Sequence, residues 1–113
     1  MQRIIILPHF KKQLKPFVKK YASLKGSVIE TLECFDKRQH PHIGNDLYKV
    51  RLSVKELQKG KSKSFRMMVL VIQQQEYVVP VAIYFKGDKE NLSTKELNTQ
   101  MEIILFELMY ERE

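Results

Sequence analysis

Apolar and polar positions change period several times along the chain, and each change marks an element. Arg3 to Leu7 is a run rich in isoleucine, closed by Pro8, which supplies no ladder donor, so a brief and central first strand is expected. From His9 to about Tyr21, Phe10, Leu14, Phe17 and Tyr21 recur at spacings of four, three and four, the pattern of an amphipathic helix whose other positions carry Lys11, Lys12, Lys15, Lys19 and Lys20. Pro16 should kink or break that helix, because an interior proline removes a hydrogen bond and costs ~3 kcal/mol. After ASLKG, Val28, Leu32 and Phe35 fall on one side of a second helix, Ser27 to about Phe35, which should pack against the first as a hairpin. Asp36 to Asn45, with His40, Pro41, His42 and Gly44, has the composition of a surface loop.

The chain is organised around Asn45 to Ile72. Tyr48, Val50 and Leu52 alternate with Lys49 and Arg51, so a strand here presents two cations on one face. Phe65 to Ile72 is a second, apolar strand with one charge, Arg66, near its start. The polar KELQKGKSKS between them belongs on the surface. Gln73 to Glu76 is a turn, and Tyr77 to Phe85 returns as a strand in which Pro80 demands an edge or a bulge. Ser93 followed by Glu96 reads as a capping box opening a long helix, whose stripe of Leu97, Met101, Ile104, Leu105, Leu108 and Met109 should be core. These elements make an α+β fold: a small, mostly antiparallel sheet with an N-terminal helical hairpin and a C-terminal helix. One sheet face should be covered by helices and the other partly open and lined by the cations.

At 113 residues the chain, 1–113, fits a single domain. A net charge of +7 points to a polyanionic or acidic partner without naming it. Cys34, alone, excludes an internal disulfide, fits a reducing compartment and reads as a small core residue. The apolar run before Pro8 is far short of the ~20 residues that span a bilayer, and the C-terminal segment is interrupted by Glu102 and Glu107, so no membrane role and a cytoplasmic location are expected.

Serine-triad, Walker-type and metal-cluster chemistries find no residues here at the required spacing, and no cofactor is expected. The chain offers cations instead: Lys49 and Arg51 on one strand, Lys59, Lys61 and Lys63 in the loop, Arg66 on the next strand and Lys86 at the end of the sheet. If the polyanion is RNA, its metal-free cleavage needs a base for the 2′-hydroxyl, charge stabilisation at the phosphorus and an acid for the leaving 5′-oxygen. Arginine pairs two phosphate oxygens through its planar fork, so Arg66, with Arg51 beside it, suits the phosphate. A lysine serves as base only where neighbours or burial lower its ordinary pKa of ~10.4, and crowding of Lys49 by Arg51 and Arg66 would push in that direction.

The order LYKVRL, KGKS, then FR and an apolar strand resembles the RelE/HigB branch of type II toxin families, small ribosome-dependent ribonucleases. FKKQLKPFVKKYASLKGSVIETL resembles the family's paired N-terminal helices and VAIYFKGDKENLS its last strand and exit, so the likeness covers most of the chain. By resemblance, Lys49 and Arg51 match the basic positions of the family's strand motif, Arg66 its arginine after the loop, and Lys86 its basic position at the end of the last strand. The family's basic loop implies contact of Lys59, Lys61 and Lys63 with ribosomal RNA. The resemblance further implies a 2′,3′-cyclic phosphate product, a ribosome and messenger RNA as partners, and a cognate antitoxin forming a hetero-oligomer with the toxin. Two departures stand out. Gly87 occupies the place of a second basic residue, and the family's C-terminal tyrosine or histidine has no counterpart, Ser93 falling near that position; Tyr84 or Lys86 is then the candidate acid. The residues leave two other classes open: a ParE-like gyrase inhibitor, and a non-catalytic RNA- or DNA-binding module that would need exposed aromatics such as Tyr48, Phe65 or Tyr84 for stacking.

Overall fold

Phe65–Ile72 is buried at every residue but the last, which places it in the middle of a sheet rather than on its surface. In the computed structural model, which describes residues 2–57 and 64–111, the elements in order are β1 (Arg3–Ile4), α1 (Pro8–Lys20), α2 (Leu24–Glu33), a 3₁₀ turn (Lys37–Gln39), β2 (His42–Gly44), β3 (Leu47–Leu52), a second 3₁₀ turn (Lys55–Leu57), β4 (Phe65–Ile72), β5 (Tyr77–Phe85) and α3 (Thr94–Glu111). The strands are ordered β1-β5-β4-β3-β2, antiparallel except for β1, which pairs parallel to β5 through Arg3↔Tyr77 and Ile4↔Val78. This is the expected α+β arrangement. Phe10 and Leu14 of α1, Val28 and Leu32 of α2 and Ile104 of α3 join Val50, Phe65, Met67, Val78 and Val81 of the sheet in one hydrophobic cluster.

Several expectations need correction. β1 is not central: it covers only two residues and lies at the sheet edge. α1 is not broken by Pro16. The helix runs through it with Pro16 exposed, so the carbonyl of Lys12 that loses its partner faces water. The segment read as a loop contains β2, whose turn into β3 sets Gly44, Asn45 and Asp46 at φ of 98°, 51° and 62°. Glycine, asparagine and aspartate are the residues that tolerate this left-handed region. Cys34 is exposed at the end of α2 rather than in the core.

Pro80 sits where the ladder shifts: Met68 pairs with Ala82 but Val69 pairs with Pro80, leaving Val81 as the extra residue of a bulge in an interior strand. The side chain of Gln13 closes this defect from α1. Its Nε2 donates to the Val81 carbonyl at 3.0 Å and its Oε1 accepts from the Ile83 N–H at 3.3 Å. The helix and the bulged strand thereby fix each other's position.

α3 opens with the expected capping box, Glu96 N–H donating to Ser93 Oγ at 3.0 Å and Ser93 N–H donating to Glu96 Oε1 at 3.1 Å. It docks on the start of α1, where the His9 N–H donates to Glu107 Oε1 at 2.9 Å and the His9 ring meets Gln100. Its apolar stripe is only partly core: Ile104 and Leu108 are buried, whereas Leu105, Phe106, Met109 and Tyr110 are exposed. Among the described residues no helix is long and apolar enough to cross a membrane.

Candidate active site

β3, β4 and β5 bring the cations together by register. Arg51 lies opposite Arg66, and Arg66 opposite Tyr84, so these three side chains form a row on one face, with Lys49 two positions along. Lys86 follows β5 and is tied back to the start of β4, its N–H donating to the Ser64 carbonyl at 2.9 Å. The result is a cleft of about 400 Å³ lined by Gln39, His40, Pro41, Lys49, Arg51, Arg66 and Lys86. Four residues chosen from the sequence meet there. The fifth, Tyr84, does not line it: it is 4% exposed, opposite Arg66 on the neighbouring strand, with its hydroxyl buried and, among the described residues, unpartnered. Lys59, Lys61 and Lys63 lie outside the described residues.

The cation-bearing face is open only in part, at the end where the cations lie. Met68, Ala82 and Tyr84, which share it, are buried, so only its end is accessible. Arg66 is itself 5% exposed and forms the inner wall of the cleft. One guanidinium nitrogen donates to Ser64 Oγ and, at 3.3 Å, to the Phe65 carbonyl, and no carboxylate lies within ion-pair distance among the described residues. Burial, and then the neighbouring charge of Arg51, push the Arg66 pKa below the ordinary arginine value. Arginine is protonated at any physiological pH, so this is a charged group held at an unfavourable place. Burial pushes the Tyr84 phenol up, with Arg66 partly opposing.

The remaining cations differ in how they are held. Lys49 is half-buried and its Nζ donates to Asn91 Oδ1 at 2.5 Å, while Arg51 is exposed. Beside Lys86, Gly87 has a simple steric reason. A Cβ there would come within 2.3 Å of the Phe85 ring, which packs against Phe65 and Tyr21. Ser93, near the family's C-terminal position, spends its hydroxyl on the start of α3.

Gln39, His40 and Pro41 were not singled out as site residues by the pattern of the sequence. Pro41 O accepts the N–H of Lys49 at 3.0 Å, which carries His40 alongside β3. The His40 ring stacks on buried Phe35, centroids 5.2 Å apart and planes at 13°. The available signal was the Gly44-Asn45-Asp46 turn, which implies a hairpin and so brings the residues before it beside Lys49. Among the described residues no three His, Cys, Asp or Glu side chains gather as a metal would require.

An α+β domain whose antiparallel sheet ends in a cleft of four cations has the RelE-like fold. The solved structure of an arginine-to-alanine double mutant of the E. coli toxin RelE in the free state superposes with a TM-score of 0.51 at 16% identity, covering 79% of this chain and 87% of that one. No family model matches the chain, and no curated protein matches its sequence.

Proposed function

We propose that the chain is the toxin of a toxin–antitoxin pair, a metal-independent endoribonuclease that cuts messenger RNA on the ribosome and is silenced by a cognate antitoxin. The observation that carries this reading is Arg66, a buried cation in a cleft with no carboxylate among the described residues to balance it. Desolvating a charge without a partner costs several kcal/mol, a cost offset when an anion enters. Arg51, Lys49 and Lys86 around it specify an anion of high charge density, and a phosphodiester fits. The RelE-like fold supplies the biological setting.

In this mechanism the 2′-oxygen attacks the adjacent phosphorus, the bond to the 5′-oxygen breaks, and the products are a 2′,3′-cyclic phosphate and a 5′-hydroxyl. Arg66 and Arg51 hold the non-bridging oxygens as charge builds on them. Lys49 and Lys86 add charge and exchangeable protons at the rim. Tyr84, opposite Arg66 on the neighbouring strand, backs the guanidinium. Lys59, Lys61 and Lys63 contact ribosomal RNA phosphates in a salt-dependent way. The aromatics that a passive binder would use are not offered beside the cleft: Phe65 and Tyr84 are buried and Tyr48 packs against Phe35 and His42.

The test uses purified protein and ribosomes carrying a defined message. Wild type should cut within the decoded codon and leave a cyclic phosphate end, and Arg66→Ala should bind ribosomes yet cut about 100-fold more slowly. Intact message with wild type bound would sink the nuclease reading.

A further inference from the structure

Resting on the reading that the cleft cleaves RNA, we propose that Ser64 is a positioning residue, whose hydroxyl sets the Arg66 guanidinium so that the rest of its fork meets the scissile phosphate. Ser64 stands immediately before β4 and is 8% exposed. Its Oγ accepts a hydrogen bond from a terminal nitrogen of Arg66, and its carbonyl accepts the Lys86 N–H at 2.9 Å. One residue thus anchors two of the cations that line the cleft, Arg66 through its side chain and Lys86 through its backbone. The strand pattern does not mark it, because a serine at the end of KGKSKS reads as loop.

Arg66 needs such a hold. Its guanidinium rides on a long, flexible stem, and Lys49, Arg51 and Lys86 share the cleft, so repulsion favours swinging the head out to water. The nitrogen bonded to Ser64 also donates to the Phe65 carbonyl at 3.3 Å, a longer second contact. Among the described residues this side chain makes no other hydrogen bond. Its Nε and second terminal nitrogen therefore keep their donors for two phosphate oxygens, the paired geometry in which arginine binds phosphate. A carboxylate at position 64 would also fix the guanidinium, but it would neutralise the charge and compete with the phosphate. A hydroxyl is a neutral acceptor, which orients the fork and leaves its charge in place.

The consequence falls on the chemical step. Negative charge grows on the non-bridging oxygens as the 2′-oxygen attacks, and a guanidinium already aimed at them needs no reorganisation at that moment. Ser64 touches no reacting atom and exchanges no proton; it acts through Arg66. Removing its hydroxyl should slow cleavage, leave ribosome docking intact, and have no effect once Arg66 is gone. The bond to the Lys86 N–H uses the backbone and survives a side-chain substitution.

The experiment is single-turnover cleavage of a defined message on programmed ribosomes, with the protein varied to saturation. Ser64→Ala should cut about 30-fold more slowly than wild type at saturation, with the same half-saturating concentration and the same urea midpoint. Ser64→Thr, which keeps the hydroxyl, should stay within about 3-fold of the wild-type rate. Ser64→Asp should be slower than Ser64→Ala, because its carboxylate takes the place of the phosphate on Arg66. In an Arg66→Ala background, adding Ser64→Ala should slow cleavage by less than about 2-fold more. A wild-type rate in Ser64→Ala overturns the inference. So does a further loss of about 30-fold in the Arg66→Ala background, because the hydroxyl would then act without the guanidinium. If those results come from a wild type that cuts message, only the role of Ser64 is lost. A wild type that leaves message whole removes the nuclease reading and the inference together.

Discussion

Two regions of this molecule concentrate positive charge, and they are built differently. Lys11, Lys12, Lys15, Lys19 and Lys20 of α1 are all exposed, on a helix whose Phe10 is buried in the core. The cleft at the end of the sheet holds fewer cations, yet one of them, Arg66, is almost wholly removed from water with no carboxylate beside it among the described residues. Charge count alone favours the helix. Burial without a counter-ion favours the cleft, because a solvated lysine costs the fold little and a desolvated guanidinium costs several kcal/mol. A site is therefore marked by charge held where folding alone would not place it.

The largest effect that separates the two regions is on cleavage. Arg66→Ala should lower the single-turnover rate about 100-fold or more, while Lys12→Ala combined with Lys19→Ala should change it less than about 3-fold and act on ribosome binding at low salt. A similar loss from both would erase the distinction. Folding should respond in the opposite sense: Arg66→Met, an apolar replacement of a buried charge, should raise unfolding free energy by about 1–3 kcal/mol in urea melts while abolishing activity. Lower stability would mean that the guanidinium supports the fold.

The scaffold can be probed separately. Gln13→Ala leaves the Val81 carbonyl and Ile83 N–H of the bulge without their partner and should cost about 1–3 kcal/mol, shifting the urea midpoint with little change in slope. The smallest effect concerns pH. The bond from the Lys89 ammonium at 2.5 Å, then the capping contacts with Ser93, hold the Glu96 carboxyl at about 2 against an ordinary 4.5. A depressed folded-state value means that its stabilisation is complete above the ordinary value and lost as pH falls towards 2. The wild-type melting temperature should thus fall between pH 4.5 and 2, and that of Glu96→Gln should fall less.

Much of this was legible in the sequence because it depends on local pattern. The alternation of Tyr48, Lys49, Val50 and Arg51 fixed which side chains share a face, and Ser93 with Glu96 marked the start of α3. Pro80 pointed to an edge or a bulge, and the ladder shows the bulge, at Val81. What was hidden depends on packing between distant segments. β2 is too short for a period of two to show, so His40 read as loop and its approach to Lys49 could not be seen. The depth of Arg66 was equally invisible, since a lone arginine at the head of an apolar strand looks the same whether its face is open or covered. The stripe of α3 misled for the same reason: periodicity gives a face but not its partner, and Leu105 and Met109 remain exposed.

The most direct test of the central claim is to induce the wild-type chain and Arg66→Ala in a bacterial host and map messenger RNA 5′ ends, with and without a translation start codon on a reporter. The account predicts cuts inside translated codons that disappear both with Arg66→Ala and without the start codon. Growth arrest with message intact would contradict it and point to gyrase or another protein target.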